Sequence, residues 1–184
     1  TTINIASTGA TGFILAVETW TDGSPQVSVF NGGWFGCTST QMAALDFWGP
    51  VYASAALAAK LTVINCVSND PTGGVTTQQS VANLQLLSLV GLLTGSTVLE
   101  TPPYASGGTE AAQDALFDVV EALADILCVG FFRISAETGW TSYATASSNG
   151  FMTSGDNHCT VAGYADWAAR ELAYMDPGPL EGAD

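Results

Sequence analysis

Positive charge is almost missing from this chain. Its 184 residues carry three Lys or Arg (Lys60, Arg133 and Arg170) against 17 Asp or Glu, for a formal net charge of -14. Proteins that hold DNA or RNA displace phosphate counterions with clusters of Lys and Arg, and no such cluster exists here, so nucleic acid is excluded as a partner. An anionic membrane surface is disfavoured for the same reason. Histidine occurs once, at His158. The four cysteines, Cys37, Cys66, Cys128 and Cys159, form no C-x-x-C pair. One histidine and unpaired cysteines leave no ligand set for structural zinc, so neither a metal nor a cofactor is expected. Four cysteines in a chain of this length do not make a disulfide scaffold. Cys66 and Cys128 lie in apolar stretches and are expected to be buried small hydrophobes. Long hydrophobic runs are absent too. The most apolar stretch, 84–93, is interrupted by Gln85, Ser88 and Gly91. It falls short of the ~20 residues of a membrane span, so it reads as a core helix and no membrane insertion is expected. No basic segment followed by a cleavage pattern is visible at the start, so no signal peptide is read.

What is present is a folding chain. Hydrophobic residues make up 47% of it, and its length is expected to form one domain over residues 1–184 with a full core. The acidic, lysine-poor composition fits a secreted, virion-borne or salt-adapted protein, and equally one that uses net charge for solubility alone. Secreted or virion-associated is favoured over membrane-bound. Oligomeric state is left open.

Along the chain, residues 3–30 read as β-structure around the turn Asp22-Gly23-Ser24-Pro25. A glycine-rich stretch, Asn31-Gly32-Gly33-Trp34-Phe35-Gly36, leads to Cys37. After it Met42, Leu45 and Trp48 recur at helical spacing, Thr38 or Ser39 caps the start, and Gly49-Pro50 ends the helix. A second helical stretch runs to about Lys60. Residues 61–67 fit a strand or a helix end equally. Helices are expected over 76–93 and 109–127, with loops at 69–74 and 101–108. The second helix has an apolar face (Leu116, Val119, Val120, Leu123, Ile126, Leu127) and an acidic one (Glu110, Asp114, Asp118, Glu121, Asp125). No lysine relieves that acidic face, whose like charges repel by roughly 0.2–0.5 kcal/mol per pair. Strands are expected at 128–134, 158–164 and 171–175. Strands at both ends with helices between predict an α+β fold.

The chemistry points to a thiol. A nucleophilic cysteine needs its pKa lowered, which a helix N-terminus and a histidinium partner both do. Cys37 sits where a helix is expected to begin, and His158 is the only histidine available as base. On a strand, His158, Thr160 and Ala162 share one face, which turns Cys159 toward the core. A carboxylate must hold the imidazole. Asp176 ends the following strand, and antiparallel pairing of 158–164 with 171–175 would return it to His158. Asp166 is the competitor, placed by the same pairing at the far end.

At these residues the chain resembles the papain-like cysteine peptidases, in the branch of the bacteriocin-leader (double-glycine) peptidases. In that branch a Gly-Cys-Gly-Pro-Thr-Ser-like segment opens a helix ending in an aromatic-Trp-Gly stretch. Here the corresponding residues are Gly36-Cys37-Thr38-Ser39-Thr40 and Phe47-Trp48-Gly49. The family's Gly-His-apolar-Val-Val-Gly-Tyr segment is matched by Asn157-His158-Cys159-Thr160-Val161-Ala162-Gly163-Tyr164, and its Asp-Pro by Asp176-Pro177. The resemblance implies a papain-like fold, with an N-terminal helical part carrying Cys37 and an antiparallel sheet carrying His158 and Asp176. It also implies a Cys37-His158-Asp176 triad acting on a peptide or protein substrate. The family's oxyanion Gln is replaced by Asn31, one methylene shorter, with Gln26 as a substitute. The Gly-Pro after the family's cysteine is replaced by Thr38-Ser39.

Two function classes follow. One is a cysteine hydrolase, a peptidase working through an acyl-enzyme. The other is a catalytically weak or inactive module with a structural or binding role, for example in a virion or at a cell surface. A serine hydrolase is disfavoured because no G-x-S-x-G occurs.

Overall fold

Three short runs rich in β-branched and aromatic residues pair side by side in one sheet. The computed structural model describes residues 36–44, 58–106, 109–155 and 158–175. The expected β-structure of 3–30, the helical positions Leu45 and Trp48, and the candidates Gln26, Asn31 and Asp176 lie outside the described residues. The strands are β1 (Leu61–Ile64), β2 (Ser96–Thr101) and β3 (Gly130–Arg133), in the order β1-β2-β3. Both pairings are parallel, with Val63 opposite Val98 and Leu99 opposite Phe131. The helices are α1 (Ser39–Met42), α2 (Thr77–Leu92), α3 (Glu110–Leu127), α4 (Ile134–Thr138), α5 (Tyr143–Ser148) and α6 (Val161–Met175).

This corrects the expected fold. The antiparallel sheet of a papain-like arrangement is absent among the described residues, and the sheet found is parallel throughout. The two strands expected at 158–164 and 171–175 belong instead to one helix, α6. Gly163, Trp167, Glu171 and Tyr174 recur at three- and four-residue spacing and turn one helical face to the fold, a period that the apolar run around Val161 disguises. The strand expected over 128–134 shortens to β3, and Ile134 already begins α4. Cys128 is also corrected. It is exposed, not buried, and caps α3 with φ 52° in the left-handed region.

Parallel neighbours cannot be joined by a tight turn and need a long crossover. α2 supplies it between β1 and β2, and α3 between β2 and β3. Two crossovers of one hand, stepping the same way along the sheet, put both helices on one face. Side-chain alternation along β2 then divides the two faces. Leu99 packs with Leu84 and Leu87 of α2 and with Val120 and Leu123 of α3. Val98 points the other way and packs with Phe132, Ile134 and, from α6, Trp167. The Tyr174 ring meets Phe132 edge-on, and its hydroxyl accepts from the Phe131 N–H (3.0 Å). α6 therefore covers the face that α2 and α3 leave open. It approaches closely at Gly163, where any Cβ would collide with the Phe151 carbonyl.

Both crossover helices start on polar caps. Thr76 and Gln79 form a reciprocal capping box on α2, and Thr109 caps α3 through the Ala112 N–H. The acidic face of α3 finds its relief across the fold. Arg133 at the end of β3 reaches Asp114 and Asp118, each at 2.7 Å, and Glu121 at 3.7 Å. One guanidinium therefore offsets part of a stripe that nothing on its own helix offsets. Replacing it (Arg133→Gln) is expected to cost about 1–2 kcal/mol. Thermal melts check this. The loss should shrink in 1 M salt, where screening acts within ~3 Å and relieves the repulsion left behind. An unchanged midpoint at low salt would show that the stripe is relieved elsewhere.

Candidate functional site

The site begins with how Cys37 is held. Thr38 caps α1 and forms a capping box with Gln41. Cys37 is buried and sits one residue before that cap, outside the helix. The next residue after the cap, Ser39, is fully buried and tied to Asp70 in the loop after β1. Asp70 Oδ1 accepts from the Ser39 N–H (2.7 Å), and Oδ2 accepts from the Ser39 hydroxyl (2.6 Å). The Ser80 hydroxyl on α2 donates to the same Oδ2 at 2.5 Å. Asn69 Nδ2 donates to the Cys37 carbonyl (3.1 Å), and Asn83 Nδ2 donates to the hydroxyls of Ser39 and Thr40. The sequence reading treated 69–74 only as a loop. An Asn-Asp pair ahead of Pro71 is a turn signal, and only the fold shows that its carboxylate is buried and grips the Cys37 segment.

His158 enters from the other side of the fold. It is exposed and stands just before the antiparallel bridge between Met152 and Cys159. Its carbonyl accepts from the Thr153 N–H (2.9 Å). The Thr160 hydroxyl accepts from the Gly163 N–H (3.1 Å), fixing where α6 starts behind the histidine. Cys159 lies in the core against Trp140 and Met152, as expected, although not through the strand alternation that was to turn it inward, and burial pushes its thiol up to about 11.

These two segments border one cleft of about 660 Å³. Cys37 and His158 both line it, although 121 residues of sequence separate them. The cleft opens at the carboxyl ends of β1 and β2, where Asn65 and Cys66 follow one strand and Pro102 and Pro103 follow the other. That end of a parallel sheet is where open α/β folds bind ligands. From α6, Tyr164, Trp167 and Glu171 also line the cleft.

Glu100, from β2, lines the cleft and is 5% exposed. Strand alternation places it with Val98 on the α6 face. Its carboxyl accepts from Trp167 Nε1 (2.5 Å) and Asn65 Nδ2 (3.2 Å). Burial raises its pKa to about 7. The Trp167 bond pulls it down, the neighbouring charge of Glu171 pushes it up, and the Asn65 bond lowers it again. Glu171 is itself raised by burial. The sequence reading missed Glu100 because β2 was not recognised as a strand. The run Thr97-Val98-Leu99 ahead of Pro102-Pro103 carried that signal.

The electrostatics of Cys37 run against the expected activation. Burial, and then the charge of Asp70, raise its thiol pKa. Cys66 is raised further by burial. Of the remaining sequence candidates, Asp166 lies in the second turn of α6 and pairs with Arg170 at 3.3 Å. The strand return that was to carry Asp176 to His158 does not exist, because 161–175 is helical. Among the described residues, no group of three or more His, Cys, Asp or Glu side chains could hold a metal ion, and no helix is long and apolar enough to cross a membrane.

No protein-family model matches the chain, and comparison with curated proteins and with solved structures finds no match to either.

Proposed function

We propose that this protein is a cysteine hydrolase whose nucleophile is Cys37 and whose base is His158. The observation that carries the reading is their convergence on one cleft at the carboxyl ends of a parallel sheet. Cys37 Sγ forms a bond to a substrate carbonyl carbon while His158 takes the thiol proton. Collapse of the tetrahedral adduct breaks the bond to the leaving amine, which receives that proton. Water then adds to the thioester with His158 again as base, and the acid departs as the Cys37 thiol is restored. Because burial and Asp70 hold the resting thiol protonated, the reading requires proton removal during attack rather than a standing thiolate.

The same raised thiol favours a second reading, a cleft that binds without turnover. Alkylation kinetics separate the two. In a Cys128→Ser background, which removes the exposed thiol, iodoacetamide should label Cys37 at pH 7 at a rate that falls about tenfold or more in His158→Ala. Equal rates with and without His158 would leave the binding reading standing alone.

A further inference from the structure

We infer that the cleft takes a ligand bearing a positively charged nitrogen, a primary ammonium or a guanidinium, seated between the carboxyls of Glu100 and Glu171 and the Tyr164–Trp167 aromatic pair. The inference rests on the reading that this cleft is the substrate site, and it names the substrate class.

The wall formed by β2 and α6 carries two carboxyls that line the same cleft, Glu100 and, one helical turn from its partner Trp167, Glu171. Glu100 is 5% exposed, and it accepts from two neutral donors, the Trp167 indole and the Asn65 amide. A buried carboxyl is costly to ionise unless a cation meets it. The chain has only three Lys or Arg, and none of them lines the cleft. Arg133 is committed to the acidic stripe of α3 and Arg170 to Asp166. Lys60 precedes β1, at the end of that strand remote from the cleft. Among the described lining residues, the imidazole of His158, just ahead of α6, is used as the catalytic base. Two ionised oxygens of Glu100 offer about four acceptor sites, of which the two neutral donors occupy part.

The aromatic pair completes the seat. The Tyr164 and Trp167 rings stack with centroids 6.2 Å apart and planes 15° apart, and both line the cleft. An indole face attracts a cation within about 6 Å of its centroid, most strongly where water is excluded. Carboxyls beside an aromatic wall favour a cationic nitrogen over a neutral group of the same size. They repel a carboxylate or phosphate outright.

The test uses n-butylguanidinium and n-butylammonium as probes, with n-butanol and butyrate as the neutral and anionic controls. Binding is read by saturation-transfer NMR and by protection of Cys37 from iodoacetamide in the Cys128→Ser protein. The cations should bind with a Kd of about 1–10 mM and slow Cys37 labelling, while the controls do neither. Glu100→Gln should weaken the cations about tenfold, and Glu171→Gln about threefold, with n-butanol unaffected. Equal binding of n-butanol, or an unchanged cation Kd in both variants, overturns the inference. If the cations bind and protect while His158→Ala leaves Cys37 labelling unchanged, the hydrolase reading fails and this one stands. If labelling depends on His158 but cations and n-butanol protect alike, the reverse holds.

Discussion

Truncating Asp70 to Ala is expected to lower the thermal midpoint by about 10 °C. This carboxylate is 1% exposed and accepts three hydrogen bonds, two from Ser39 and one from Ser80. It ties the loop after β1 to the Cys37 segment and to the first turn of α2. Without it, the Ser39 N–H and hydroxyl lose their acceptors inside the protein, at roughly 1–3 kcal/mol for each unsatisfied group. Ser80 loses less, because the Thr76 carbonyl lies 3.3 Å from its hydroxyl. The total is about 3–5 kcal/mol, and each kcal/mol moves the midpoint by roughly 2–4 °C in a chain of this size. Asp70→Asn keeps one acceptor oxygen and lets the hydroxyls turn, so it should cost about half as much. A second readout ties the clamp to chemistry. Both causes that raise the Cys37 thiol, burial and the Asp70 charge, weaken in Asp70→Ala. Iodoacetamide labelling at pH 7 should therefore rise. A midpoint within about 2 °C of the parent would show that the clamp is not what holds this segment.

How much of this was legible in the sequence depends on the range of the interaction that decides each element. α2 and α3 were plain, because leucine spacing, Thr caps and an acidic face are local features that the fold preserves. The 158–175 region was misread for a physical reason. His158-Cys159-Thr160-Val161 has strand-like composition, but the Thr160 hydroxyl bonds to the Gly163 N–H and turns the chain into a helix. That one mistake produced an antiparallel sheet and a return route for Asp176. The parallel sheet was readable only as an alternation, strand-helix-strand-helix-strand over 61–133, and overlooking β2 hid it. Cys37 and His158 were singled out by residue type and scarcity, and what the structure adds is that both border one cleft. Asp70 and Glu100 were not, because local signals mark only the turn and the strand that carry them, and their burial is decided by the fold. Arg133 shows the same limit, since the residue that relieves the acidic stripe lies on a neighbouring strand.

Glu100 gives the fold a pH dependence that Glu100→Gln should remove. The folded carboxyl titrates at about 7, raised from an ordinary value of 4.5, with burial as the leading cause. A carboxyl whose folded pKa lies above its unfolded value keeps its proton longer in the folded chain. Between pH 4.5 and pH 7 the unfolded chain therefore binds fewer protons at this site, and stability falls as pH rises. The contribution is fully present below about pH 4.5, and it is lost by the time pH passes about 7. At about 1.4 kcal/mol per pKa unit, the loss is on the order of 3–4 kcal/mol. A glutamine of the same shape does not titrate. Relative to the parent, Glu100→Gln should gain stability steadily across that window and then level off, a rise in relative midpoint of roughly 7–14 °C. Other groups, Glu171 included, titrate in both proteins, so the difference between the two melting curves isolates Glu100. Any fixed cost of presenting an amide to the Asn65 and Trp167 donors shifts the difference at every pH without changing its slope. A difference that stays flat from pH 4.5 to pH 7, or that moves in favour of the parent, would mean that Glu100 ionises as an ordinary surface carboxylate. A cation seated on it should suppress the same slope, because it favours the ionised form in the folded state only. Repeating the melts with n-butylguanidinium present should bring the parent curve toward that of the variant as pH rises.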